Sequence, residues 1–159
     1  MDYLIIIPIE PFGERDLYPA DQMLPAHCTL MPWFASNRFM PIDDLLEWVV
    51  EREELFPIQL IAQGREFFGP NNNVPVCVLT PTDNLKFLHT TLLVTLAQMG
   101  IIPKLQWVGA GYRPHISDTP TAVFKNGFNA QPSELVLVRR NEEGEKVVIG
   151  KYSFAPKSL

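Results

Sequence analysis

At 159 residues and 47% hydrophobic side chains, the chain is long enough to bury a sizeable core as one domain over residues 1–159, built from two small lobes. Its 18 acidic against 13 basic side chains leave a net charge of -5, which opposes binding to a long duplex nucleic acid, because such binding draws on clustered Lys and Arg. The run "LIIIPI" is too short for a membrane span and lacks a signal peptide's basic flank, so no membrane contact and a cytoplasmic location are expected.

In chain order, "DYLIIIPI" reads as a buried strand, followed by the long Pro/Gly/Asp-rich loop "PFGERDLYPADQMLP" and a second strand, "AHCTLMPWF". "PIDDLLEWVVEREEL" predicts a helix: Pro41 stands at its start, acids fill the first turn, and Ile42, Leu45, Leu46, Val49 and Val50 share one face. Two strands follow, "PIQLIAQGREFF" and "VPVCVLTP", separated by the turn "GPNNN". A second helix has Asp83 as its N-cap, a stripe of Leu85, Leu88, Leu92, Leu96 and Met99, and Gly100 as its stop. "RPHISD" is a short strand, and "SELVLVRRNEEGEKVVIGKYSF" a hairpin turning at "NEEG". Cys28 and Cys77 sit in apolar, strand-like surroundings and are read as free buried thiols.

Each half of the chain therefore offers strands and one helix, and each carries a histidine with a hydroxyl residue two places on: His27 with Thr29, and His115 with Ser117. In a strand, residues two apart share a face, so each pair projects together while Cys28 and Ile116 turn inward. Packed about a pseudo-twofold axis, the halves would bring two imidazoles and two hydroxyls to one cleft. That set suits a phosphodiester: a neutral imidazole takes a proton from the attacking oxygen, a protonated one gives a proton to the leaving oxygen, and the hydroxyls hold the nonbridging oxygens. His89-Thr90-Thr91 has the same spacing but lies in the second helix, where residues two apart point in different directions, and is read as structural.

In the order of its elements, and in the stretches "HCTL" and "RPHIS", the chain resembles the two-histidine (2H) phosphoesterases, among them proteins named bacterial 2'-5' RNA ligases, plant cyclic nucleotide phosphodiesterases and several phage proteins. The resemblance implies an α+β, bilobal fold, with two antiparallel sheets and flanking helices around a central cleft, and a reaction that needs no metal or other cofactor. It makes His27 and His115 the acid/base pair, and Thr29 and Ser117 the phosphate holders. Two departures stand out: Ser117 replaces the commoner Thr, and Asp118 stands where the family usually has an apolar residue.

Around the two motifs, Tyr112 and Trp33 offer aromatic faces for a base, with Phe34 and Tyr18 as further aromatics nearby; Arg113 and Lys104 offer charge for phosphate. No metal site is expected, since Cys28 faces away from His27 and no carboxylate keeps ligand spacing with either histidine. The expected activity is that of a phosphodiesterase acting on a small nucleotide or short oligonucleotide: a 2',3'-cyclic phosphate, a 2'-5' linkage or a cyclic oligonucleotide. The alternative is a nucleotide-binding module without turnover, against which the intact histidine at both positions argues.

Overall fold

The computed structural model describes residues 1–13, 16–103 and 108–154. The first apolar run forms β1 (Asp2–Pro8), in which Tyr3 through Ile7 are all buried. The run is continuous rather than alternating because both faces of the strand are covered. Tyr3, Ile5 and Ile7 enter the main core, while Leu4 and Ile6 join a smaller cluster with Phe12, Tyr18 and Leu24 beneath the long first loop. That loop contains the two-residue strand β2 (Leu17–Tyr18).

Next come β3 (His27–Ala35), α1 (Met40–Val49), β4 (Leu60–Phe68), β5 (Val74–Leu79), α2 (Asp83–Gln98), β6 (His115–Ser117), β7 (Asn129–Ala130), β8 (Glu134–Arg140) and β9 (Lys146–Ser153). Among the described residues the strands join in the order β2-β9-β8-β1-β3-β6-β5-β4-β7, and every pairing is antiparallel. β2-β9-β8-β1-β3 make one lobe and β6-β5-β4-β7 the other, with β3 and β6 meeting at the Cys28–Ile116 pair. The two sheets of the sequence expectation are thus the two wings of one hydrogen-bonded run.

The lobes are not the two halves of the chain. The hairpin β8–β9 returns to the first lobe, pairing β8 with β1, so the chain begins and ends in the same lobe. Its turn falls at Asn141–Gly144 as the "NEEG" signal predicts, with Gly144 at φ 82°, a conformation that suits glycine.

α1 packs against β9 and α2 against β3, so both helices cover one face of the sheet; the other face carries the small cluster beneath the first loop and, beside it at the β3–β6 seam, a cleft. α1 stops short of the predicted "EREEL" because its stripe of Ile42, Leu45, Leu46 and Val49 runs out: another turn would bring Arg52 and Glu53 onto the buried face. A 3₁₀ turn over Glu53–Leu55 buries Leu55 instead. At α2, Thr82 rather than Asp83 is the N-cap, its Oγ1 accepting from the Leu85 N–H at 3.4 Å. Met99 is the C-cap and is exposed, not part of the stripe; His89 takes a buried place among Leu85, Leu88, Leu92 and Leu96.

His89 is held on both ring nitrogens. A carbonyl only accepts, so Nδ1–H donates to Leu30 O (2.7 Å), and Nε2 accepts from the Gly109 N–H (2.9 Å). Burial pushes its pKa down, keeping the ring neutral. His89→Ala removes both bonds and the packing of the ring, and should cost about 3 kcal/mol. For a chain of this size that is roughly a 6–12 °C fall in Tm. The unfolded ring takes up a proton below about pH 6.5 while the native ring resists it, so stability falls as pH drops under that value. Urea unfolding at several pH values should show a shallower acid slope in the variant.

Candidate functional site

The site is set by register. β3 and β6 are antiparallel with Cys28 opposite Ile116, which brings His27 beside Ser117 and Thr29 beside His115. Cys28 and Ile116 are fully buried in the main core, whereas His27, Thr29, His115 and Ser117 lie half-buried on the cleft face. Directly opposite residues in such a pair stand about 4.5–5.5 Å apart at Cβ and diagonal ones about 7–8 Å, so the four side chains share one small patch of the cleft face. β6 is fixed on its far side by three pairs with β5: Val76 with Ser117, Cys77 with Ile116, and Val78 with His115.

The two histidines are held alike. His27 Nδ1 lies 2.8 Å from Pro25 O, and His115 Nδ1 lies 2.8 Å from Arg113 O, in each case the carbonyl two residues upstream. Nδ1 must therefore carry the proton, leaving Nε2 of the neutral ring as the available acceptor. A phenyl ring packs edge-on against each imidazole: Phe12 at 6.1 Å from His27, and Phe68 at 4.7 Å from His115. Burial lowers the pKa of both rings, against the carbonyl bonds, which favour the charged form. The positive field of His115 depresses His27 further, and the Arg113 guanidinium acts in the same sense on His115.

Two cavities flank the pair, sharing Thr29 and Pro32. Beside His115 is a mostly apolar space of about 280 Å³ walled by Phe68, Val74, Tyr112 and Arg113. One face of Tyr112 is stacked on His89 (3.9 Å, 3° between planes), and its hydroxyl donates to Thr29 O at 2.9 Å, so it fixes the strand that carries the first motif. Arg113 donates to Glu66 at 2.7 Å with its guanidinium 4.8 Å over the Phe68 ring.

Beside His27 is a space of about 300 Å³ reached by Ser117, Trp33, Thr119 and Lys146. Arg140 lies 4.1 Å over the Trp33 ring. Trp33 keeps the parity of Thr29 and faces the cleft, and Phe34 that of Cys28, stacking on Tyr3 in the core; the two register slips of β3 against β1, between Thr29 and Phe34, flank Met31, which is buried beside Leu30 against the alternation. Tyr18 is buried in the small cluster and donates to Asp16 at 3.2 Å; burial pushes its pKa up to about 12. Lys104 lies outside the described residues.

Four residues that the sequence reading missed complete the surroundings: Glu10, Phe12, Phe68 and Lys146. Glu10 accepts from the Ala26 N–H (2.8 Å) and from the Thr119 and Thr121 hydroxyls (3.1 and 2.7 Å), tying the residue before His27 to the turn after Ser117. Those donors, the Ala26 N–H foremost, hold its carboxyl below the usual range. A glutamate in a loop has no periodic signal, and its partners are far away in the chain. Asp118 is turned from the cleft into a bidentate pair with Arg65, 2.6 Å on each arm. Among the described residues the one grouping of metal-ligand type is Asp43, Asp44 and Glu47 on α1; it includes neither histidine, and Asp43 already accepts from Tyr152 at 2.6 Å.

The fold is shared with solved structures. TT0787 of Thermus thermophilus matches with a TM-score of 0.64 at 16% identity, over 99% of this chain and 100% of that one. A protein described as a phosphoesterase matches at 0.58 and 14%, over 97% and 98% of the two chains. E. coli LigT complexed with NADP+ matches at 0.57 and 14%, over 97% of each, and LigT complexed with 3'-AMP at 0.54. No protein-family model and no curated protein matches the sequence. Among the described residues, no helix is long and apolar enough to cross a membrane.

The imidazole geometry is open to direct test. In ¹⁵N-resolved NMR spectra, both His27 and His115 should titrate below about 6.5 and show the Nδ1–H tautomer when neutral. His115→Gln should raise the pKa of His27 by removing the neighbouring charge. A predominant Nε2–H tautomer at either ring would overturn the assignment.

Proposed function

We propose that the protein, acting as one domain over residues 1–159, is a metal-independent phosphodiesterase of the two-histidine type. Its substrate is a small nucleotide: a 2',3'-cyclic phosphate, a 2'-5' linkage or a short cyclic oligonucleotide. The observation that carries this reading is the matched pair of imidazoles, each with Nδ1 on the carbonyl two residues upstream and Nε2 available to the cleft. The shared fold agrees with it: one neighbour is described as a phosphoesterase, and LigT is complexed with a nucleotide in two structures. No helix of membrane-spanning length is among the described residues, which fits a cytoplasmic enzyme.

In this reading the scissile phosphate sits among His27, Thr29, His115 and Ser117. One neutral imidazole takes the proton of a water or ribose hydroxyl as that oxygen attacks phosphorus. The bond to the leaving oxygen breaks, and the other, protonated imidazole delivers a proton to it. The net result is one proton moved from nucleophile to leaving group, with the two rings exchanging protonation states. The Thr29 and Ser117 hydroxyls donate to the nonbridging oxygens as negative charge gathers on them. Tyr112, Arg113 and Trp33 contact the nucleoside portions from the two flanking cavities.

Incubation without metal of a panel of 2',3'-cyclic nucleotides, 2'-5' dinucleotides and cyclic dinucleotides tests the activity. His27→Ala or His115→Ala should each lower kcat by at least about 100-fold, with the double variant little worse, because the rings work as a unit. EDTA should leave the rate unchanged. Since both imidazoles titrate below their ordinary value, the pair holds one proton only on the acid side. The bell in kcat/KM should therefore peak below about pH 6.5 and fall toward pH 8 as the proton donor is lost. Near-normal turnover by His115→Ala on every substrate cleaved would sink the proposal.

A further inference from the structure

We propose that Lys146 binds a second phosphate of the substrate, on the His27 side of the scissile one, so that the preferred substrates carry two phosphates rather than one. This rests on the reading of the histidine pair as a phosphodiesterase site.

The two flanking cavities differ in charge. Beside His115, the wall is apolar, and its cation, Arg113, is already neutralised by Glu66 at 2.7 Å. Beside His27, no carboxylate is found among the described lining residues, although the chain as a whole has a net charge of -5. The cation there is Lys146. Arg65, Lys86, Arg113 and Arg140 each pair with a carboxylate, whereas Lys146 makes no such pair among the described residues; Nζ donates to a neutral carbonyl, Gln22 O, at 2.6 Å. An ammonium has three donors, so two remain for a ligand.

The sheet places that ammonium over the cleft. Lys146 opens β9 opposite Arg140, and one step along the same face Val148 stands opposite Val138, which in turn pairs with Leu4, a residue lining the same cavity. The backbone pairing with Tyr18 of β2 fixes its other side. Burial and the nearby Arg140 both disfavour its charge, and Asp21 offsets this only in part. A phosphate entering the cavity would relieve that cost and bring the two remaining donors to use.

Calorimetric titration of adenosine 3'-monophosphate, 5'-monophosphate, 3',5'-bisphosphate and 2',5'-bisphosphate tests this without any need for turnover. At least one bisphosphate should bind about 10-fold or more tighter than either monophosphate, the size expected of a charged hydrogen bond in a partly buried site. Lys146→Met should remove that gain while changing monophosphate affinity by less than about 2-fold, and Lys146→Arg should retain most of it. Equal affinity for all four nucleotides, a gain that survives Lys146→Met, or a parallel loss of monophosphate binding would each overturn the proposal. The hydrolysis panel reads the phosphodiesterase assignment separately, since the affinity difference does not depend on bond cleavage.

Discussion

The site depends on one cross-strand pair, Cys28 with Ile116, where β3 of the first lobe meets β6 of the second. Because side chains alternate along a strand, burying this pair in the core forces both histidines and both hydroxyl residues onto the opposite face. A slip of one residue would turn His27 or His115 into the core and a cysteine or isoleucine into the cleft. β6 has only three residues, so the seam needs reinforcement from outside itself. The pairing with β5, the Glu10 bonds and the Tyr112 hydroxyl on Thr29 O supply it from three directions.

His89 belongs to that reinforcement. With the same sequence spacing as the two cleft histidines it does a different task, because a helix turns residues two apart away from each other. Its ring joins α2 to Leu30 of β3 and to Gly109, and Tyr112 stacks on it. The contrast between the three histidines is one of exits: His89 has both nitrogens occupied by backbone, whereas for His27 and His115 only Nδ1 has a backbone partner. A ring with both nitrogens satisfied is a structural strut; one with a nitrogen facing a cleft can move a proton.

Much of this was legible in the sequence, since it rests on local periodicity. Alternation located the strands bearing His27 and His115, and the stripe Leu85, Leu88, Leu92 and Leu96 located α2. What was not legible depended on partners distant in the chain. Nothing near residue 146 indicates that β9 folds back beside the first lobe, so Lys146 could not be assigned to the cleft. Glu10 finds Thr119 and Thr121 more than a hundred positions away. The edge strands Leu17–Tyr18 and Asn129–Ala130 are too short to carry a pattern, and α1 ended early because Arg52 and Glu53 interrupted a stripe read by its apolar members alone.

Charge is distributed so that the sign of the whole differs from that of the cleft. Acids gather on α1 at Asp43, Asp44 and Glu47 and in the hairpin turn at Glu142, Glu143 and Glu145, while the cavity that joins His27 to Lys146 has none among its described lining. A short anion meets mainly the local field, since charges beyond about a Debye length of 8–10 Å are screened. A long polyanion must lie along the acidic surface as well, and repulsion there offsets what the cleft contributes. Size selection against long nucleic acid would then need no gate or lid. On the proposed function it would come from placing Lys146, which has no carboxylate partner among the described residues, in a cavity of about 300 Å³, and it should weaken as acids outside the cleft are replaced by neutral residues.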